Sequence, residues 1–134
     1  MARVIINTSA IVSPLIAGLR DTVRDLDSAY QTAIESPRYG WPGTTQRKSG
    51  ELAGSLRNIV DLGNFRDSQD VAFINPFLVQ FSWGGGGVNY APQIFFGYTT
   101  RAGNVFPARN PVEAAHSIEH PYEMFAENVR RYAR

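Results

Sequence analysis

Tyr90–Arg109, YAPQIFFGYTTRAGNVFPAR, is the stretch that decides the fold, because it combines dense aromatic side chains with two glycines, two prolines and only two charged residues. Pro92 lacks a backbone donor and Gly97 can adopt a positive φ, so residues 90–98 predict a turn rather than a long regular element. An exposed loop is predicted over 99–104, before the chain returns to an apolar environment. The turn is expected to place three side chains on the core, namely Ile94, Phe95 and Phe96.

The composition describes a single small domain. The chain has 134 residues, enough to bury most of its apolar surface without disulfide bonds or structural metal ions. Lys+Arg 13 against Asp+Glu 12 gives a formal net charge of +1, which argues against a polyanion binder. The absence of cysteine excludes disulfides, thiolate metal sites and a cysteine nucleophile. Polar residues at 7–9 break the N-terminal apolar run, so neither a signal peptide nor a membrane segment is expected.

A long amphipathic helix is predicted at the start of the chain. Apolar residues recur at intervals of three and four from Val12 to Ala33. Ser13-Pro14 offers an N-cap followed by proline, but the apolar stripe begins just before it, so Thr8 or Ser9 is the candidate N-cap. Pro37 ends the helix because a residue before proline avoids the α region. The apolar stripe packs either on the domain's own sheet or partly on a neighbouring subunit, and its spacing does not separate the two.

Residues 38–50 predict a loop that carries a small basic and aromatic patch. That composition is typical of a surface that meets phosphates or a partner, and a solvated loop with its tryptophan folded onto the core is the alternative. The patch consists of Arg38, Tyr39, Trp41, Arg47 and Lys48. Residues 51–59 have near-helical spacing but frequent glycines, so weak order is expected there. A short helix is predicted over 63–69, with Asp61 near its start.

The only clear strand signal lies between residues 71 and 83. Residues 71–74 and 77–83 are rich in β-formers, and Asn75-Pro76 separates them as a turn. The alternation places Phe77, Val79, Phe81 and Trp83 on one face, which is predicted to be core.

The C-terminal part is predicted to be helical. Pro111 suits the first turn of a helix after Asn110, with Val112, Ala115 and Ile118 as its apolar stripe. Pro121 interrupts this helix, and a second one follows from Tyr122 to Arg134. Its apolar positions are expected at Phe125, Val129 and Tyr132.

Two features resemble catalytic sites, and neither supports an enzyme. His116, Glu119 and His120 form an H-x-x-E-H string, the order found in inverted zinc peptidases. Only 14 residues follow His120 and no distant carboxylate completes the set, so two solvent-facing histidines are the expected reading. Asp21, Asp25 and Asp27 are attributed to pairing on the helix surface. No enzymatic activity and no cofactor are expected.

Two motifs, in order, resemble a known family. Residues 61–68, DLGNFRDS, resemble a D-T-G-x-L-x-x-S segment. Tyr90-Ala91 with Phe96-Gly97, followed by Pro107-Ala108-Arg109, resembles Y-A-x-x-x-x-x-G and P-A-R-P-F. Together they are similar to the neck and tail-completion proteins of tailed bacteriophages, the head-tail joining or virion-morphogenesis family. The chain departs from this pattern at Leu62, at Phe65 and at the Asn110-Pro111-Val112 run after Arg109.

This resemblance implies a structural role in the virion. The implied subunit forms a homo-oligomeric ring, commonly of six copies, that joins the head connector to the tail tube or completes the tail. DNA passes through its channel without sequence-specific binding, and assembly takes place in the host cytoplasm without a membrane. Asp61, Gly63 and Ser68 would shape and cap the short helix. Gly97 would form the sharp turn, and Pro107 would hold Arg109 in place. Arg109 would then pair either across a subunit boundary or within its own chain.

The predicted organisation is one α+β domain over residues 1–134. It comprises a long helix over 1–37, a loop over 38–50, a β-rich core with a small antiparallel sheet over 51–110, and C-terminal helices over 111–134. The predicted subunit or partner interface consists of Tyr90, Phe96, Tyr98, Arg101, Phe106, Arg109, Arg38 and Trp41. A tail terminator that caps the tube and a nucleic-acid-binding module are the alternative functions.

Overall fold

The protein has an α+β fold, as predicted, in a computed structural model that describes residues 2–36, 39–40, 56–57, 64–85, 90–99, 101, 103 and 105–133. Several predicted functional residues lie outside these ranges, namely Arg38, Trp41, Arg47, Lys48, Asp61 and Gly63. The described elements are a long N-terminal helix, two C-terminal helices, three small antiparallel strand pairs and two short helices. Within the described ranges, no helix combines the length and apolar character that crossing a bilayer requires.

Helix α1 spans Thr8–Glu35 and is the longest element. Its N-cap is Asn7, whose side chain accepts a hydrogen bond from the Ser9 amide at 3.1 Å. The prediction of Thr8 or Ser9 as N-cap was therefore wrong by one or two residues. The side-chain oxygen of Asn7, one residue before Thr8, accepts a hydrogen bond from an unpaired amide of the first helical turn. The helix ends as predicted, with Ser36 in an extended conformation immediately before proline.

Helices α4 (Pro111–Ile118) and α5 (Pro121–Tyr132) pack along α1. Asn110 caps α4 and His120 caps α5, each through a side-chain acceptor. Their shared core contains Leu26, Tyr30, Ala33, Ala115 and Met124. The predicted core positions Ile118 and Tyr132 are instead exposed, because α4 turns Ala115 towards α1 and α5 turns Met124 and Asn128 towards it.

Carboxylates of α1 bind other elements rather than pairing only along the helix. Asn128 is buried and donates to the Thr22 hydroxyl and to Asp25 at 3.1 Å each. Asp21 accepts from the Tyr132 hydroxyl at 2.6 Å, and Asp27 accepts from the Gln69 side chain at 2.7 Å. The interpretation of these residues as helix-surface pairs holds only for Asp21, which lies 3.6 Å from Arg24.

The described strands form three separate two-stranded antiparallel sheets. Strands β1 (Tyr39–Gly40) and β2 (Leu56–Arg57) pair where a loop and a weakly ordered segment were predicted. Strands β3 (Asp70–Asn75) and β4 (Leu78–Ser82) form the predicted hairpin, and β5 (Tyr98–Thr99) pairs with β6 (Val105–Phe106). Runs of two residues are too short to show periodicity, so sequence patterns do not reveal them.

The β3–β4 hairpin is buried only near its base. Phe81 and Trp83 are partly buried and pack edge-on against Tyr30, with ring centroids 4.9 and 5.7 Å away. Phe77 is exposed although the alternation placed it on the core face, because the hairpin extends beyond the helices that cover its base. The residues exposed around the tip are Phe73, Ile74, Phe77 and Leu78.

Two short helices complete the fold. Helix α2 (Asn64–Asp67) lies within the predicted short helix, whereas α3 (Ala91–Phe96) replaces the predicted turn. Pro92 is compatible with α3 because it occupies the first turn, where its missing donor costs nothing. Ile94 is buried and Phe95 partly buried, but Phe96 is exposed, which corrects its predicted core position.

Candidate assembly surface

The two motifs behind the family resemblance pack against each other. Phe65 of the first motif is buried, and its ring lies 6.0 Å from the ring of Phe95 in the second motif at an interplanar angle of 66°. Phe65 also shares a core cluster with Ile34, Ala91 and Ile94. Sequence segments separated by more than twenty residues therefore form one structural unit on α1.

Ser68 ties the first motif to the end of the hairpin. Its hydroxyl donates to the Phe65 carbonyl at 2.6 Å and accepts from the Gly84 amide at 3.0 Å. Ser68 therefore lies at the C-terminal end of α2, where its hydroxyl donates to a helix carbonyl that has no partner within the helix. Gln69 continues the connection, because it accepts from the Trp83 indole at 3.2 Å and donates to Asp27.

Gly97 joins the two halves of the second motif. Its φ of 74° and ψ of 173° lie in a region that essentially only glycine adopts, and its amide donates to the Gln93 carbonyl at 2.8 Å. A Cβ at this position would lie 2.7 Å from the Phe106 carbonyl oxygen and 2.9 Å from the Ala108 amide. The Arg109 amide donates to the Ile94 carbonyl at 2.7 Å, so the segment around Pro107 lies directly on α3.

The exposed side of this unit is apolar. Phe96 is 80 % exposed, and Tyr90, Tyr98 and Val105 are also exposed. The Tyr98 ring stacks on Phe106 at 4.7 Å with an interplanar angle of 4°, which fixes its orientation on the short β5–β6 hairpin. We call Tyr90, Phe96, Tyr98 and Val105 the 90–105 patch. Exposed aromatic and aliphatic side chains along one segment are typical of a protein interface.

The remaining predicted interface residues divide by burial. Arg101 is exposed beside the patch, in the turn between β5 and β6. Phe106 and Arg109 are only 7 % and 5 % exposed, so they lie inside the subunit beneath the patch. In the described chain Arg109 is therefore enclosed by its own subunit rather than presented at a surface. Arg38 and Trp41 lie outside the described residues.

Two exposed apolar groups were not predicted from the sequence. Val4, Ile5 and Ile6 are 86 %, 81 % and 70 % exposed in the segment before α1. The tip of the β3–β4 hairpin is the second group. For residues 4–6, the run of β-branched residues before the N-cap was a sequence signal that could have predicted the exposed apolar group. The second has no sequence signal, because alternation shows which residues share a face but not where the covering helices end.

The two histidines differ in environment. The His116 Nε2 lies 2.8 Å from the Tyr30 hydroxyl in a partly buried position between α4 and α1, so the prediction that it faces solvent was wrong. Burial lowers the pKa of His116, and nearby His120 lowers it further. Burial also raises the pKa of Tyr30, which keeps this phenol protonated. Among the described residues, no cluster of three or more His, Cys, Asp or Glu side chains could hold a metal ion.

Comparison with protein-family models, curated proteins and solved structures finds no match to this chain. A functional assignment therefore depends on the sequence motifs and on the geometry of the described residues.

Proposed function

We propose that this protein is a structural subunit of a bacteriophage neck, forming a ring that joins the head connector to the tail or completes the tail. The observation that carries the proposal is the contact between the two motifs. Phe65 packs against Phe95, and Gly97 lies against the 106–108 backbone. The two segments behind the family resemblance thus pack together beneath the 90–105 patch, through Phe65, where the chain departs from the pattern, and through Gly97, which matches it.

Apolar exposure supports an assembly role. A monomer that functions alone rarely keeps several large aromatic side chains in water, and Tyr98 of the 90–105 patch is held in place by stacking on Phe106. In the proposed ring, commonly of six copies, this patch contacts a neighbouring subunit or the tail-tube or connector protein. The formal net charge of +1 suits a channel through which DNA moves, since strong attraction would retain the genome.

Particle mass tests the proposal. Native mass spectrometry and light scattering of the purified chain across concentration, alone and with candidate connector and tail-tube proteins, are expected to show a discrete ring. Negative-stain images should then show a central channel. A chain that stays monomeric under all of these conditions would contradict the proposal.

A matched pair of variants locates the interface. Phe96→Asp places a charge in the 90–105 patch and is expected to raise the concentration needed for half-assembly at least tenfold, about 1.4 kcal/mol. Ile118→Asp is the control, because Ile118 is 74 % exposed, close to the 80 % of Phe96, but lies on α4. Equal effects of the two substitutions would exclude the patch as the specific interface.

A further inference from the structure

Residues 2–7 precede α1 outside any described helix or strand and have the composition of a β-strand. Val4, Ile5 and Ile6 are β-branched and exposed, and within the described residues this segment belongs to no sheet. An exposed apolar segment of this kind is suited to adding a strand to an open sheet edge.

The β3–β4 hairpin offers such an edge. Within the described part of the chain, β3 pairs with β4 alone, so its other edge carries unpaired backbone donors and acceptors. Residues 70–73 pair in register with β4, and the irregularity begins only between Phe73 and Asn75. A two-stranded hairpin is marginally stable by itself, and a third strand would stabilise it.

We infer that residues Arg3–Ile6 of one copy add as a parallel strand to the β3 edge of a second copy. In this register Arg3 lies beside Asp70, and Val4 and Ile6 share a face with Val71 and Phe73. Within the described residues, neither Arg3 nor Asp70 takes part in an ion pair. Their opposite charges can therefore favour the parallel over the antiparallel strand direction. The antiparallel register would place Ile6 beside Asp70 and the Arg3 charge beside Phe73.

The dimensions of the fold require the second copy. The base of the hairpin meets α1 at Asp27, through two hydrogen bonds from the Gln69 side chain. A helix advances about 30 Å between Thr8 and Asp27, whereas six extended residues span about 20 Å. A copy's own segment therefore falls short of Asp27 at the hairpin base, so pairing along residues 70–73 is assigned to a neighbouring subunit.

The inference rests on the proposed self-assembly and extends it, because it names a contact independent of the 90–105 patch. The chain has no cysteine, so engineered cysteines report a single contact. Separately purified Ile5→Cys and Ala72→Cys proteins are mixed under assembly conditions and oxidised. Opposed Cβ atoms about 5 Å apart should form a disulfide between copies. Ile5→Cys mixed with Glu123→Cys is the control, since Glu123 is exposed on α5, and at least tenfold less product is expected.

A backbone test accompanies the cross-link. Ile5→Pro removes a strand donor and is expected to raise the half-assembly concentration at least tenfold, whereas Ile5→Thr keeps a β-branched residue and should change it by less than about threefold. Equal cross-linking of the two cysteine pairs, or equal assembly of the two Ile5 variants, would overturn the inference. If the unmodified chain assembles normally in that case, the proposed function stands. If the unmodified chain never assembles, both fail.

Discussion

Gly97 shows how much of this structure depends on one missing side chain. Its backbone occupies a region that other residues avoid, and its α-carbon faces the 106–108 backbone at a distance that leaves no room for a methyl group. Both constraints exist because α3 ends here and the chain must reverse at once into β5. Gly97 therefore determines whether the 90–105 patch has a fixed shape.

Three glycine-to-alanine variants separate these two constraints. Gly97→Ala is expected to lower the free energy of unfolding by roughly 3 kcal/mol, because it combines backbone strain with a steric clash. Gly103→Ala should cost about 1 kcal/mol, since its φ of 86° is strained but nothing lies within 4 Å of its added Cβ. Gly85→Ala has neither feature and should change stability by less than about 0.5 kcal/mol.

Urea unfolding at one fixed protein concentration measures all three variants. A Gly97→Ala protein as stable as Gly103→Ala would show that the 106–108 segment moves away without cost.

His116 gives the protein a dependence on pH. Burial between α4 and α1 is the main reason that its folded-state pKa lies below the ordinary value, and His120 adds to the effect. A group with a lowered folded pKa binds protons more readily when the chain is unfolded. The free energy of unfolding should therefore be highest above about pH 6.5 and decrease as the pH falls through the folded pKa.

Unfolding between pH 7.5 and 5.5 tests this expectation. His116→Gln removes the titrating group and keeps a polar partner for Tyr30, so its stability should vary less with pH than that of the unmodified chain. His120→Asn is the control, because asparagine also caps a helix and the burial of His116 remains. An unchanged slope in His116→Gln would assign the pH dependence to other groups.

At the scale of elements, the contact between α1 and α5 determines how the helices assemble. Gly18 lies against Val129, and a Cβ at position 18 would be 2.5 Å from the Val129 Cγ2. This close approach lets Asn128 bond to Thr22, whose hydroxyl donates to the Gly18 carbonyl. The glycine is thus needed for helix packing, although it lowers the intrinsic stability of α1.

Gly18→Ala is predicted to destabilise the protein by about 1–3 kcal/mol. Helix propensity alone predicts the opposite, a gain of about 1 kcal/mol. The cost should be smaller in a Val129→Ala background, where the nearest remaining contacts are the Val129 Cα and amide nitrogen at 3.0 Å. Thermal and urea unfolding of the four proteins in this cycle give the coupling energy. A stabilised Gly18→Ala protein would refute the predicted close packing.

The hairpins show the same dependence on context. Asn75 accepts from the Phe77 amide at 2.8 Å, which explains the predicted turn. The alternation of β4 correctly placed Phe81 on a core face, yet it could not show that the helices cover only the base of the hairpin. The tip is left with apolar side chains in water.

For the whole molecule, α1 connects two core clusters. Its Ile34 packs with Phe65 and Ile94, and its Leu26 and Tyr30 pack with the C-terminal helices. The exposed apolar groups lie away from these clusters, in the 90–105 patch, the hairpin tip and residues 4–6. The proposed ring would cover such surfaces between subunits, and the proposed strand addition joins residues 4–6 to the β3 edge at residues 70–73.

Local signals in the sequence determined the α+β class, the end of α1 before Pro37, the start of α4 at Asn110-Pro111 and the turn at Asn75-Pro76. These features depend on neighbouring residues and on regular spacing, which a sequence contains directly. Only the tertiary structure decided that Phe96 and Ile118 are exposed, that β5 pairs with β6 and that Gly97 lies against residues 106–108. Those outcomes depend on which elements meet in space, and local patterns do not contain that information.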